Sequence, residues 1–178
     1  NLQPDRLAKS TVITVEGRQI GVIGATTENL PFITSARNVI VNDVAAAVQA
    51  EIDALAGNGV AIIGLASHLQ SVGEELDLAT QLNGLDFIIA GGGDDIIADA
   101  GTALVPGDAI DRTGYPLIAT DPMGRAIPVV STTGDYKYVG RLVLGFDVNG
   151  EVVEVRPESN IIRVASTAAD PTSGVAED

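Results

Sequence analysis

The feature that most constrains the fold is an almost unbroken apolar run at residues 60–65, which lies just before the chain's single histidine. The run follows a Gly-Asn-Gly sequence and is too short for a typical helix, so it predicts a strand that is covered on both faces, as in a parallel sheet. Ser67 and His68 come just past its end. Because ligands of open α/β sheets bind outside the carboxyl ends of the strands, this position favours a chemical role for His68.

A second apolar strand is predicted at residues 86–90, and it leads into three glycines followed by Asp94 and Asp95. Two neighbouring parallel strands would then present an imidazole and one or two carboxylates at the same edge of a sheet. A simpler interpretation stays open. The glycines can permit a tight turn, and one of the aspartates can cap a short helical turn at residues 96–100.

Strands and helices alternate in the first half of the chain. They are predicted at residues 11–15, 18–24, 38–41, 44–56 and 73–82. The first two segments form a hairpin, the third is a brief strand, and the last two are helices. Asn42 or Asp43 caps the helix at residues 44–56, whose apolar residues recur every three to four positions. The helix-strand-helix-strand order predicts a parallel βαβ crossover.

The second half changes character after a loop rich in glycine, proline and aspartate. Strands are predicted there at residues 117–120, 127–131, 138–147 and 152–156. Asp-Pro-Met-Gly and Asn-Gly sequences between them are typical of hairpin turns. The predicted fold class is therefore α/β with a mixed sheet, formed by parallel βαβ in the first half and antiparallel hairpins in the second. One domain is expected over residues 1–163, followed by an acidic flexible tail or linker at residues 164–178.

Charge and composition exclude several classes of function. The formal net charge is −14, with 24 acidic against 10 basic residues, which argues against binding to nucleic acid or to an anionic membrane surface. The absence of cysteine excludes thiol catalysis, cysteine-ligated zinc and disulfide bonds. No apolar run approaches the roughly 20 residues of a membrane span. The chain opens on polar residues without a signal peptide or an initiator methionine, as expected of a fragment or a processed chain.

Four segments carry a resemblance to a known family: GVIGATTENLP, AAVQAEIDALAGNGVAIIGLASHLQ, LDFIIAGGGDD and YKYVGRLVLGFDVNGEVV. In this order they resemble the 5'-nucleotidase branch of the calcineurin-like metallophosphoesterases. The resemblance implies a four-layer αββα sandwich, of which this chain is the later part, and hydrolysis of phosphate esters at a two-metal centre. It implies two partners, the N-terminal half of the same catalytic domain and a phosphate-ester or nucleotide substrate. It also implies an extracellular or periplasmic location.

The resemblance also implies which residues bind metal. Ser67-His68-Leu69 matches the family's Ser-His-Leu, whose histidine is a metal ligand. Residues 91–95 replace the family's Gly-Gly-His-Ser-His/Gln, so Asp94 or Asp95 would supply oxygen in place of imidazole. The predicted metal ligands are therefore His68, which the resemblance implies, and Asp94 and Asp95, which we infer from the replacement of the family's motif, for Zn²⁺, Mn²⁺ or Ca²⁺.

The family's first-half motifs, Asp-x-His, Gly-Asp and Gly-Asn-His-Asp/Glu, are absent from the chain. We therefore assign no catalytic residue here and expect negligible phosphatase activity of the chain alone. A noncatalytic metallophosphoesterase-like structural or binding module is the alternative function. Asp135 or Tyr136 could line the site, although a simple hairpin lead-in is favoured for that loop. Asp108 and Asp111 are predicted to be solvated loop acids.

Overall fold

The computed structural model describes residues 8–165. Three helices lie in this part of the chain: α1 (Leu30–Ile33), α2 (Val44–Gly57) and α3 (Val72–Ala79). The strands of its main sheet are β1 (Ser10–Val15), β2 (Arg18–Thr26), β3 (Ile62–His68), β4 (Phe87–Ala90), β7 (Leu117–Thr120) and β8 (Ala126–Val130). The remaining strands are β5 (Ile97–Ala98), β6 (Arg112–Thr113), β9 (Tyr138–Arg141), β10 (Leu144–Phe146), β11 (Val152–Val155) and β12 (Asn160–Arg163).

A six-stranded mixed sheet with the order β1-β2-β3-β4-β8-β7 forms the centre of the molecule. The pairs β2–β3, β3–β4 and β4–β8 are parallel. The edge strands β1 and β7 pair antiparallel with β2 and β8. The predicted fold class, a mixed α/β sheet, is therefore confirmed. The remaining strands form three small two-stranded sheets in the described residues.

Helices α2 and α3 cover one face of this sheet. Asp43 caps α2 by accepting a hydrogen bond from the Ala46 backbone N–H at 2.7 Å. The apolar stripe of α2 is buried at Val48, Ile52 and Leu55 and packs on β2. Helix α3 packs against β4, β7 and β8 on the same core. This core consists largely of aliphatic side chains, as an aromatic fraction of 3% requires.

The opposite face of the sheet is partly open. The register of the parallel strands places Ile62, Gly64, Ala66 and His68 on this face, away from the helices. Ile89 on β4 and Ile118 on β7 are each 52% exposed. We call this surface, which lies opposite α2 and α3, the open sheet face.

Four sequence-based expectations were wrong in detail. Residues 96–100 do not form a helical turn, because Ile97 and Ala98 are buried and pair in parallel with Arg112 and Thr113. Residues 38–41 form no strand. The strand predicted at residues 138–147 is two strands, because β9 pairs with β12 whereas β10 pairs with β11. The second half is also not wholly antiparallel, because β8 joins β4 in parallel.

The hairpin of β1 and β2, helix α2, strand β4 and the turns joining β7 to β8 and β10 to β11 are confirmed. Most of the predicted tail, residues 166–178, lies outside the described residues. No helix within residues 8–165 is both long enough and apolar enough to cross a membrane.

Candidate metal site

The carboxyl ends of β2, β3 and β4 meet at one edge of the sheet. Thr26 pairs with His68, and Ser67 pairs with Ala90, so the segment after β4 begins beside His68. The Thr27 backbone N–H donates to the His68 carbonyl oxygen at 3.1 Å. The Gly91 N–H donates to the Ser67 carbonyl oxygen at 2.8 Å. The two strand ends therefore lie together at this edge, as the sequence predicted.

The glycines after β4 allow a very close approach to β3. A Cβ atom at Gly91 would lie 2.8 Å from the Ser67 carbonyl oxygen and 3.7 Å from Cδ2 of His68. A Cβ atom at Gly92 would overlap the carbonyl oxygen of Leu69. The loop can therefore lie flat against the backbone of residues 67–69, next to the histidine ring, only because these positions lack side chains.

His68 is exposed and lies on the open sheet face. Its imidazole makes no hydrogen bond or ion pair with any other residue in the range 8–165. An accessible imidazole without a partner keeps a nitrogen lone pair available for a metal ion.

The two aspartates differ in their surroundings. Asp95 forms an ion pair with Arg112, with 2.6 Å between Oδ2 and Nε, and both side chains are partly exposed. Asp94 is exposed and makes no hydrogen bond within the described part of the chain. Its Oδ1 lies 3.4 Å from where a Cβ atom of Gly134 would stand, so the loop before β9 reaches this carboxylate.

The donor types of these side chains suit part of a metal site. His68 and Asp94 offer one nitrogen and one free carboxylate, whereas Asp95 is occupied by Arg112. No group of three histidine, cysteine, aspartate or glutamate residues that could hold a metal ion is present within residues 8–165. The set His68, Asp94 and Asp95 stays a prediction, and further ligands would have to come from elsewhere.

A buried carboxylate that was not predicted from the sequence lies behind this edge. Glu75 on α3 is 0% exposed, and its Oε1 accepts hydrogen bonds from Ser67 Oγ at 2.9 Å and from the Leu69 N–H at 3.2 Å. Its other oxygen, Oε2, has no hydrogen-bond partner in the described residues. Burial raises the pKa of Glu75, and the hydrogen bonds from Ser67 and Leu69 partly offset that rise. One feature of the sequence indicated that Glu75 is buried. It lies three residues after Val72 and three before Leu78, and both of these apolar residues are buried.

The loop before β9 is strained and anchored. Asp135 and Tyr136 both have positive φ angles, 67° and 56°, and the Tyr136 side chain is 95% exposed. Asp108 anchors the following residues by binding Lys137 Nζ at 3.1 Å and accepting from the Tyr138 hydroxyl at 2.8 Å. These hydrogen bonds, that of Tyr138 first, lower the pKa of Asp108. The expectation that Asp108 is simply solvated was therefore wrong.

Asp111 is exposed, as expected, but its Oδ2 accepts a hydrogen bond from the Ile96 N–H at 2.9 Å. That bond holds the start of the segment that pairs β5 with β6, so the role of Asp111 is structural. Both loop acids are therefore hydrogen-bonded to neighbouring segments.

Similar proteins support the resemblance. The chain is 32% identical to a 5'-nucleotidase of Diplobatis ommata over 163 residues, which is 91% of this chain and 27% of that protein. A 5'-nucleotidase of Mus musculus is 31% identical over 147 residues, 81% of this chain and 24% of the other. This chain is a relative of the 5'-nucleotidases. It spans about a quarter of the length of these curated relatives.

A solved structure agrees with the relationship. The 5'-nucleotidase precursor from Thermus thermophilus matches with a TM-score of 0.79 and 28% sequence identity, over 87% of this chain and 29% of that one. The resemblance to the 5'-nucleotidases and the fold class are therefore confirmed together. No family model matches the chain.

Proposed function

We propose that the chain forms part of a metal-dependent phosphate-ester hydrolase of the 5'-nucleotidase type and contributes His68 and Asp94 to its metal site. The observation that carries this proposal is the placement of His68, exposed and without a partner in residues 8–165, at the carboxyl end of a central parallel strand. The relatives named 5'-nucleotidase give this position its chemical context.

The donor types suit Zn²⁺ or Mn²⁺ better than Ca²⁺, because imidazole is a good ligand for the transition metals whereas Ca²⁺ prefers oxygen. A bound divalent ion would polarise a phosphoryl oxygen and lower the pKa of a bound water. His68 and Asp94 would hold the ion, and the glycine loop would keep the approach to the ring clear.

The missing ligands would come from the N-terminal half of the same catalytic domain. This chain spans about a quarter of its relatives' length, and its open sheet face leaves apolar side chains uncovered. A cavity of about 530 Å³ lies there between the sheet and β10, lined by Phe87, Ile89, Leu144 and Phe146 among others. Exposed apolar surface of this kind is typical of an interface. The substrate would be a nucleotide or another phosphate ester, and the location extracellular or periplasmic.

The chain alone should have negligible phosphatase activity, because it offers too few ligands for a two-metal centre. The assay uses the purified chain with p-nitrophenyl phosphate and with 5'-AMP, each with added Mn²⁺, Zn²⁺ or Ca²⁺. His68→Ala is the matched control for contaminating phosphatases. Rapid metal-dependent turnover that His68→Ala abolishes would show that the chain holds a complete site and would overturn this part of the proposal.

A second candidate, a noncatalytic module, is favoured by one observation. Asp95 is tied to Arg112, so the segment that replaces the family's histidine motif offers only Asp94 as a free ligand. The two functions are distinguished by the parent protein's sequence ahead of Asn1. Intact Asp-x-His and Asn-His-Asp/Glu motifs there would support the hydrolase, whereas their absence would support the module.

A further inference from the structure

We infer that Glu75 is a positioning residue for His68, an inference that rests on the proposed role of His68 as a metal ligand. The Glu75 carboxylate accepts hydrogen bonds from Ser67 Oγ at 2.9 Å and from the Leu69 N–H at 3.2 Å. Ser67 and Leu69 are the residues immediately before and after His68. One buried carboxylate oxygen on α3 therefore accepts hydrogen bonds from the residues on both sides of His68.

Together with two backbone hydrogen bonds, these bonds fix the position of the backbone at residues 67–69. Gly91 holds the Ser67 carbonyl oxygen from the β4 side, and Thr27 holds the His68 carbonyl oxygen from the β2 side. Glu75 holds the same segment from the helix side. Because side chains alternate along a strand, fixing the backbone in this way directs the imidazole onto the open sheet face. Groups behind a ligand commonly orient it in the same way at metal sites.

The burial of Glu75 argues that its bonds have a role beyond filling space. The residue lies on the inward face of α3 with Val72, Leu78 and Ala79, among apolar side chains. A fully buried carboxyl group is unfavourable unless it is well hydrogen-bonded, and here Oε2 has no partner in the described residues. The carboxyl group supplies a hydrogen-bond acceptor for the two residues beside His68, whereas leucine would supply none.

The experiment uses the fact that His68 is the chain's only histidine. Its ring signals in ¹H–¹³C NMR spectra of the 178-residue chain are therefore unambiguous. Ring order is measured by ¹³C relaxation, and Zn²⁺ affinity by the shift of the ring signals during titration. The variants are Glu75→Leu, which removes the acceptor, and Glu75→Gln, which retains it. Glu74→Leu, the same change at the neighbouring, partly exposed position, is the matched control.

We expect Glu75→Leu to increase the mobility of the His68 ring and to raise the Zn²⁺ dissociation constant about 10-fold. Glu75→Gln should remain close to the unmodified chain in both measurements, and Glu74→Leu should change neither. A loss of stability in Glu75→Leu with unchanged ring order and unchanged Zn²⁺ affinity would overturn the inference, because Glu75 would then be only a structural residue. Failure of Glu75→Gln to retain the ring order would also overturn it.

The two proposals fail in different ways. If Zn²⁺ leaves the His68 signals of the unmodified chain unshifted, the metal-binding proposal fails, and the ring mobility alone decides whether Glu75 positions His68. If Glu75→Leu does not fold, Ser67→Ala replaces it, because this change removes one of the two bonds and leaves the other. An unchanged ring mobility in Ser67→Ala would then overturn the inference.

Discussion

The buried carboxyl groups of Glu75 and Asp86 lie at opposite edges of the sheet and have different roles. Glu75 lies behind the edge that carries His68. Asp86, which is 6% exposed, lies where β4 begins, and its Oδ2 accepts a hydrogen bond from the Ile63 N–H at 2.7 Å. Burial raises the pKa of Asp86 to about 6. The protonation of Asp86 therefore affects the stability of the fold rather than the candidate site.

The raised pKa of Asp86 predicts a pH dependence of stability. Its ordinary value is 3.8, so between about pH 4 and pH 6 the unfolded chain loses this proton while the folded chain retains it. The contribution of Asp86 to the free energy of unfolding therefore falls as pH rises through that window. Asp86→Asn removes the ionisable group but keeps an acceptor for Ile63. It should be more stable than the unmodified chain at pH 7, by up to about 3 kcal/mol.

Urea unfolding at pH 4, 5, 6 and 7 measures this difference. Asp77→Asn on the exposed side of α3 is the control, and it should show no such pH-dependent gain. An Asp86→Asn variant that is less stable at pH 7 than at pH 4, relative to the unmodified chain, would contradict the prediction.

Asp94 and Asp95 should differ in their effect on metal binding. Asp94→Asn should weaken Zn²⁺ binding, because it removes the carboxylate that is free of hydrogen bonds within residues 8–165. Asp95→Asn should leave that affinity nearly unchanged, because it only breaks the partly exposed ion pair with Arg112. Such a pair contributes at most about 1 kcal/mol to stability. Isothermal titration calorimetry of the two variants tests this, and the reverse ranking would contradict it.

Sequence reasoning could place His68 but not Glu75. An apolar run followed by a polar residue marks the end of a buried strand in any parallel sheet, so the position of His68 follows from local pattern. A glutamate in the first turn of a helix is ordinarily a solvated residue that suits the helix dipole. Its spacing from Val72 and Leu78 is a weak signal for an inward position, and the packing of α3 against the sheet shows that Glu75 faces inward.

At the level of elements, the contact between β3 and the glycine loop is the most constrained feature. Gly92→Ala should lower the free energy of unfolding by about 1–3 kcal/mol, because its methyl group would overlap the Leu69 carbonyl oxygen. It should also shift the ring signals of His68, since the loop has to move away from residues 67–69. Gly24→Ala on β2 is the control, because a Cβ atom there meets nothing within 4 Å. Equal stability of the two variants would contradict this packing.

The elements that could be predicted from the sequence are those whose pattern of apolar residues is long enough to recognise. Helix α2 has four turns of regular apolar spacing and an aspartate cap, and β4 is a compact apolar run bounded by turns. The two-residue strands β5 and β6 are too short to show any period, and their pairing depends on residues far apart in sequence. The break between β9 and β10 is likewise invisible locally, because each strand follows a different partner.

On the scale of the whole molecule, the sheet has one face covered by helices and one face partly open, and His68 lies on the open face. The chain matches about a quarter of the length of its 5'-nucleotidase relatives. Both facts agree with a half-site that needs further protein to complete it. The acidic surface, with a net charge of −14, means that weakly bound cations are expected elsewhere as well.

Residue-by-residue mapping of Mn²⁺ binding by paramagnetic line broadening is therefore the most direct test of the proposed metal site. We predict that the His68 ring and the backbone signals of Thr27 and Gly91 broaden at the lowest Mn²⁺ concentrations. Signals of Ile63 and Asp86, at the opposite edge of the sheet, should broaden much later. Zn²⁺ should suppress the early broadening by competition. Broadening of the His68 ring at the same Mn²⁺ concentration as that of Ile63 and Asp86, or later, would contradict a metal site at this edge.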